Sequence, residues 1–151
     1  MILAEGLETV GAFIGEPVMG TGGLIPPPEG YLAAVQKVLS KYEVLLIADE
    51  VVCGFGRVGA PFGSHLYGIR PDLIMIAKGL TRAYLPLSGV IVGERVWKII
   101  ERGSEELGPM RHGWIYFGHP LGIDAGLVNL DILERVKLTE NGWDTGYYLQ
   151  E

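Results

Sequence analysis

The sequence predicts an α/β protein built on a mostly parallel β-sheet with flanking helices, and three observations carry that reading. Two apolar runs, residues 10–18 and 44–52, flank a stretch of helical spacing, which makes a strand–helix–strand unit. Glycine is abundant, 23 of 151 residues, or about 15% against an ordinary usage of about 7%. It clusters directly after apolar runs, at Gly20, Gly22 and Gly23 and again at Gly54, Gly56 and Gly59. Glycine at a strand end lets the backbone turn sharply or approach a ligand closely. Finally, 151 residues with 48% apolar content suit one compact domain with a core of its own.

Each element follows in order. Residues 10–18 read as a strand ending near Pro17, stopped by Pro17 and the glycine-rich stretch after it. Apolar residues at 31, 32, 35, 38, 39 and 42 then keep helical spacing, with Pro28 in the first turn. The unbroken apolar start of residues 44–52 suits a strand covered on both faces, parallel to the first. After a loop rich in glycine, proline and aromatics, residues 72–77 form a third buried strand running directly into Lys78. Residues 88–93 read as a fourth strand and 94–102 as a helix, with Val96, Trp97, Ile99 and Ile100 as its apolar positions. Residues 103–118 look irregular, 124–136 helical with Leu127, Leu130 and Leu133 inward, and 137–151 mixed.

Composition removes several function classes. With 18 acidic and 12 basic side chains the net charge is −6, which leaves no basic surface for a phosphate backbone, so nucleic acid is not expected as a partner. The longest apolar runs, such as residues 44–48, fall far short of the roughly 20 residues that cross a bilayer, and no basic segment followed by an apolar one opens the chain. A single cysteine, Cys53, fits a reducing compartment. The expectation is a cytoplasmic protein that neither enters nor anchors in a membrane.

Three motifs carry candidate chemistry. Gly54-Phe-Gly56-Arg-Val-Gly59 matches a dinucleotide fingerprint and follows a strand, but no long helix opens at it, and Asp72, the acidic residue downstream, begins a strand instead of ending one. A nucleotide-binding module is therefore the weaker reading. His65, His112 and His119 are scattered without ligand spacing, so no metal site is expected. The third constellation is Glu16, Asp49 and Lys78, each at the C-terminal end of a predicted strand. In a parallel sheet those ends share the edge where ligands bind. Burial disfavours the ammonium form of a lysine and exposes a nucleophilic amine, and a lysine with an aspartate aimed at a pyridine nitrogen is what proteins supply to pyridoxal phosphate. An ordinary Asp–Lys pair at a sheet edge is the bland alternative.

These residues also stand in a recognisable order. Leu45-Leu-Ile-Ala-Asp-Glu-Val-Val-Cys-Gly-Phe-Gly-Arg-Val-Gly59, followed by Asp72-Leu-Ile-Met-Ile-Ala-Lys78-Gly-Leu, resembles the signature of class III aminotransferases, pyridoxal-phosphate enzymes of fold type I. Glu16-Pro17-Val18-Met19-Gly20 and Gly118-His119-Pro120 stand where that family has their counterparts, so the likeness spans nearly the whole chain. It implies that residues 1–136 are the central part of a cofactor-binding large domain and 137–151 the start of a truncated C-terminal small domain. It makes Lys78 the Schiff-base lysine and the later acid/base, pairs Asp49 with the pyridinium nitrogen, packs Val51 on the ring and counts Glu16 among the cofactor-binding residues. The implied reaction transfers an amino group from an amine to an oxo acid in two half-reactions. Implied partners are those small molecules and a second subunit, either a copy of this chain or a full-length homologue.

The family's glutamate gate, five residues after the Glu-Pro glutamate in members acting on ornithine or 4-aminobutyrate, is here Thr21, which points to the branch that uses amines or ω-amino acids with pyruvate. Two residues depart from the pattern. Ile115 replaces a threonine that reaches the cofactor phosphate across the dimer, and Arg82 stands where a small residue is usual. The family's phosphate loop and most of its small domain have no counterpart, so the expectation is a fragment, with a non-catalytic remnant or partner subunit as the alternative.

Overall fold

The computed structural model describes residues 1–150. Four strands form one sheet in the order β1 (Ala12–Gly15), β2 (Leu45–Asp49), β3 (Leu73–Ile76) and β4 (Gly89–Val92). β1 and β2 pair in parallel, as do β2 and β3, whereas β4 runs antiparallel to β3. A parallel return needs a crossover that carries the chain back along the sheet. Residues 77–88 make no such crossover and turn the chain round at one edge instead. Helix α1 (Ile2–Glu5) precedes β1, α2 (Tyr31–Lys41) joins β1 to β2, and α3 (Gly63–Leu66) lies between β2 and β3. Helices α4 (Glu94–Leu107), α5 (Pro120–Arg135) and α6 (Leu138–Tyr148) follow β4.

The first core explains why the strand–helix–strand unit forms. Leu32 and Leu39, one face of α2, pack on Val44, Leu46 and Ile69, with Phe13 of β1 against them. Side chains alternate across a strand, so Leu46 and Ala48 are buried under α2 while Leu45, Ile47 and Asp49 point to the other face and are only half-buried. In this chain, then, β2 is covered on one face and half-open on the other. Ile14, the register partner of Ile47, is 56% exposed. The exposed surface totals 10984 Å², against about 7,500 Å² for a compact monomer of this mass.

The helices depart from expectation at their ends. α2 starts at Tyr31 behind Gly30, whose φ of 74° closes the preceding turn, so Pro28 stands ahead of the helix and not in its first turn. α4 runs past Arg102 to Leu107, because Gly103 weakens a helix by only about 1 kcal/mol and an exposed amphipathic face carries through it. α5 begins at Pro120, which needs no N–H partner at a first helical position. Residues 138–148, read as mixed, form α6. Among the described residues no helix is long and apolar enough to cross a membrane.

A second core lies beside the C-terminal ends of the strands. Phe55, Leu80 and Leu133 are buried together, with Phe62, Ile76, Leu87 and Leu138 around them. It binds the loops after β2 and β3 to α5 and α6. Gly122 and Gly126, one turn apart on α5, face Leu87 and Leu80, so the helix approaches that loop closely.

Candidate active site

Register places the three predicted residues on one edge. Gly15 pairs with Ala48, so Glu16 comes level with Asp49, and Asp49 pairs with Met75, three residues before Lys78. Neighbouring strands lie about 4.8 Å apart and a strand rises about 3.3 Å per residue, so the Lys78 backbone stands roughly 10 Å beyond the level of Asp49. Asp49 lies on the half-open face, and its Oδ1 accepts the Val51 N–H at 3.1 Å, which holds the carboxylate in place. Glu16 Oε2 accepts the Gly20 N–H at 2.8 Å and closes the turn after β1. Val51 is half-buried at the start of the loop after β2.

Cys53 reports the same convergence. Burial pushes its thiol above the ordinary value, a hydrogen bond to the Val18 carbonyl pulls the other way, and Glu50, Glu16 and Asp49 are each near enough to raise it further. The thiol donates to Val18 O at 3.5 Å and is fully buried. It is a packing element that ties the loop after β2 to the loop after β1.

Lys78 departs from one expectation. A buried strand ahead of it implies desolvation, yet in this chain its side chain is exposed and β3 is half-buried throughout. What marks Lys78 is its backbone. It opens a 3₁₀ turn, Lys78–Leu80, with φ of 37°, and Phe55, Arg82 and Ala83 beside it have φ of 60°, 54° and 65°. Non-glycine residues in that region carry about 1–3 kcal/mol of strain each, held only where the surroundings over-determine them.

The surroundings here are specific. Asn129 Nδ2 donates to the carbonyls of Gly79 at 2.8 Å and Leu80 at 3.0 Å, clamping the turn from α5. Thr81 Oγ1 donates to Leu85 O at 2.6 Å, and Arg82 Nη2 donates to Phe55 O at 3.4 Å. The sequence reading did not single out Asn129, Thr81 or Glu50. Asn129 had a visible signal, a polar residue one turn before Leu133 on the face of α5 that packs inward.

The glycine fingerprint resolves as a packing surface. Gly56 and Gly59 have φ of 87° and 72°, and α6 lies directly on them. A Cβ at Gly59 would stand 2.7 Å from the Trp143 ring and 3.1 Å from its Cα, whereas one at Gly68, also at positive φ, meets nothing within 4 Å. Gly59→Ala should therefore cost about 2–3 kcal/mol in urea unfolding and Gly68→Ala about 1 kcal/mol. Equal losses would mean that α6 does not pack there. Among the described residues no group of histidine, cysteine and acidic side chains is arranged to hold a metal. Ile115 lies in the exposed stretch 108–119, is 90% exposed, and offers no hydrogen bond to an anion.

Comparison with known proteins agrees with this architecture. The family description Aminotransferase class-III matches residues 1–151. The chain is 70% identical over 151 residues to diaminobutyrate–2-oxoglutarate transaminase of Halomonas elongata, covering all of this chain and 32% of that protein. It is 46% identical to putrescine–pyruvate aminotransferase of Pseudomonas aeruginosa, covering 99% of this chain and 32% of that one. Among solved structures, an (S)-enantioselective omega-transaminase from Thermomicrobium roseum superimposes with a TM-score of 0.92 at 47% identity, covering 98% of this chain and 32% of that chain. The chain thus spans about a third of the length of the relatives it matches. With the register of its strand ends and this match over its whole length, the chain belongs to the class III aminotransferases, a pyridoxal-phosphate-dependent family.

Proposed function

We propose that this chain carries the lysine-bearing part of an aminotransferase site that moves an amino group from an amine or ω-amino acid to an oxo acid such as pyruvate. The observation that supports it most is the shared edge: Glu16 and Asp49 level with one another, and Lys78 on a strained turn at the end of the next strand. The residues fit the cofactor: a half-buried, oriented carboxylate faces the open side of the sheet and an accessible amine stands beyond it. When bound, pyridoxal phosphate supplies the electron sink that stabilises a carbanion.

The protein's share of the work divides as follows. The Asp49 carboxylate would accept a hydrogen bond from the ring nitrogen and keep a proton on that atom. Lys78 Nζ would hold the cofactor covalently and, when free, would serve as the acid/base that moves the substrate proton. Val51 packs against the ring, and Glu16 lines the same edge while holding the turn after β1. Ile115 would forgo a hydrogen bond to the phosphate worth about 1–3 kcal/mol if no other group replaces it.

Thr21 in place of a glutamate gate supports the branch that uses amines or ω-amino acids with pyruvate. Diaminobutyrate and putrescine, named for the relatives, both carry a terminal amine. A second copy of the chain or a full-length homologue covers the exposed apolar surface, and a cytoplasmic setting suits the free, buried Cys53. Ile115, which offers the cofactor phosphate no hydrogen bond, favours a second reading, a non-catalytic partner subunit. One experiment separates them: the folded chain with pyridoxal phosphate, putrescine or diaminobutyrate, and either pyruvate or 2-oxoglutarate. Alanine formation supports the proposal, glutamate alone reassigns the acceptor, and neither product supports the non-catalytic reading.

A further inference from the structure

Glu50 lies outside every role given above, yet it is a carboxyl group with 0% exposure. Alternation along β2 sends it to the face opposite Asp49. Its Oε2 accepts the Gly63 N–H at 2.8 Å and its Oε1 the Ser64 N–H at 2.6 Å. Its own N–H donates to Met75 O at 3.1 Å, and its carbonyl accepts the Gly54 N–H at 2.9 Å. A buried carboxylate is very costly unless hydrogen-bonded, and here both oxygens and both backbone groups are engaged.

Following those contacts outward leads to all three strand ends. Gly63 is pressed on the loop after β1 so closely that a Cβ would stand 2.6 Å from Pro17 Cβ, next to Glu16. Gly54 and Phe55, whose turn hangs on the Glu50 carbonyl, press on Gly79 next to Lys78: a Cβ there would meet Phe55 Cβ at 3.0 Å and Gly54 O at 3.2 Å. Asp49 and Val51 are its chain neighbours. We propose that Glu50 is a positioning residue, one buried carboxylate that sets Glu16, Asp49 and Lys78 at their mutual spacing and so shapes the cofactor site. The inference rests on the reading of Asp49 and Lys78 as cofactor residues.

The test compares the chain with Glu50→Gln, which keeps the shape but replaces one acceptor by an amide NH₂, and with Leu39→Val, which loosens the first core away from the site. Amide hydrogen exchange is read without cofactor at a temperature where all are folded, and Lys78 labelling is read after adding limiting pyridoxal phosphate and reducing with borohydride. Glu50→Gln should speed exchange about tenfold or more at Gly63 and Ser64, and also at Val51 and Arg82, whose N–H groups bind Asp49 Oδ1 and Lys78 O. Lys78 labelling should fall about tenfold in the same variant and hardly at all in Leu39→Val. Acceleration confined to Gly63 and Ser64, with labelling unchanged, would show a local cap on α3 and overturn the proposal. If the unsubstituted chain takes no label at Lys78, the cofactor reading fails by itself and the spread of exchange still decides the positioning role. Should Glu50→Gln not fold, Glu50→Asp, which draws the carboxylate back by one methylene, gives the same two outcomes.

Discussion

Lys78→Ala removes the borohydride-fixed pyridoxyl label that the whole chain takes up from limiting pyridoxal phosphate, a loss of about a hundredfold. The expectation follows from placement and not from abundance of lysine. Lys37, Lys41, Lys98 and Lys137 are also present, but Lys78 alone follows a strand at the edge where Glu16 and Asp49 stand. The turn that carries it is strained at φ of 37° and clamped by Asn129, so the position of its amine is built by the fold. Lys78→Arg is the sharper control, because it keeps a cation on the same turn while removing the amine that forms the bond. Total label on the chain unchanged in either variant sinks the assignment.

Asp49→Asn has the second-largest expected effect. The amide keeps the size of the side chain and can still accept the Val51 N–H, so unfolding by urea should change by less than about 1 kcal/mol. Cofactor affinity should fall by about 3 kcal/mol, roughly a hundredfold, because the negative partner of the ring nitrogen is gone. The separation of the two readouts is the point. A variant that loses stability and affinity together would make Asp49 a structural residue of the sheet edge.

How far the fold was legible depends on which forces act locally. The strand–helix–strand unit was readable because the face of α2 that meets β2, Leu32 and Leu39, lies in one unbroken helical spacing. The half-open face of β2 was not, since Leu45 and Ile47 are as apolar as Leu46 and only the three-dimensional arrangement shows that α2 covers one side. α6 escaped because Gly142 and Gly146 depress helix propensity, while what holds it is Trp143 lying on Gly59, more than eighty residues earlier. The same contact explains a fingerprint that sequence could reject as nucleotide-binding but not assign.

The candidate site divides in the same way. Glu16, Asp49 and Lys78 were visible as polar residues closing apolar runs, a pattern that strand direction turns into a shared edge. Glu50 stood in plain view next to Asp49, yet its partners, Gly63 and Ser64, announce nothing in sequence because they offer backbone N–H groups. The expected desolvation of Lys78 did not appear, because burial on one face of a strand says nothing of the loop beyond its end.

The most direct measurement is the location of the covalent label on the unsubstituted chain. The chain is mixed with pyridoxal phosphate, reduced with borohydride, digested and mapped by mass spectrometry across its lysines. Label confined to Lys78 is the predicted result. Label spread over Lys37, Lys41, Lys98 and Lys137, or absent, would contradict the account, because the strand-end geometry would then not select one amine.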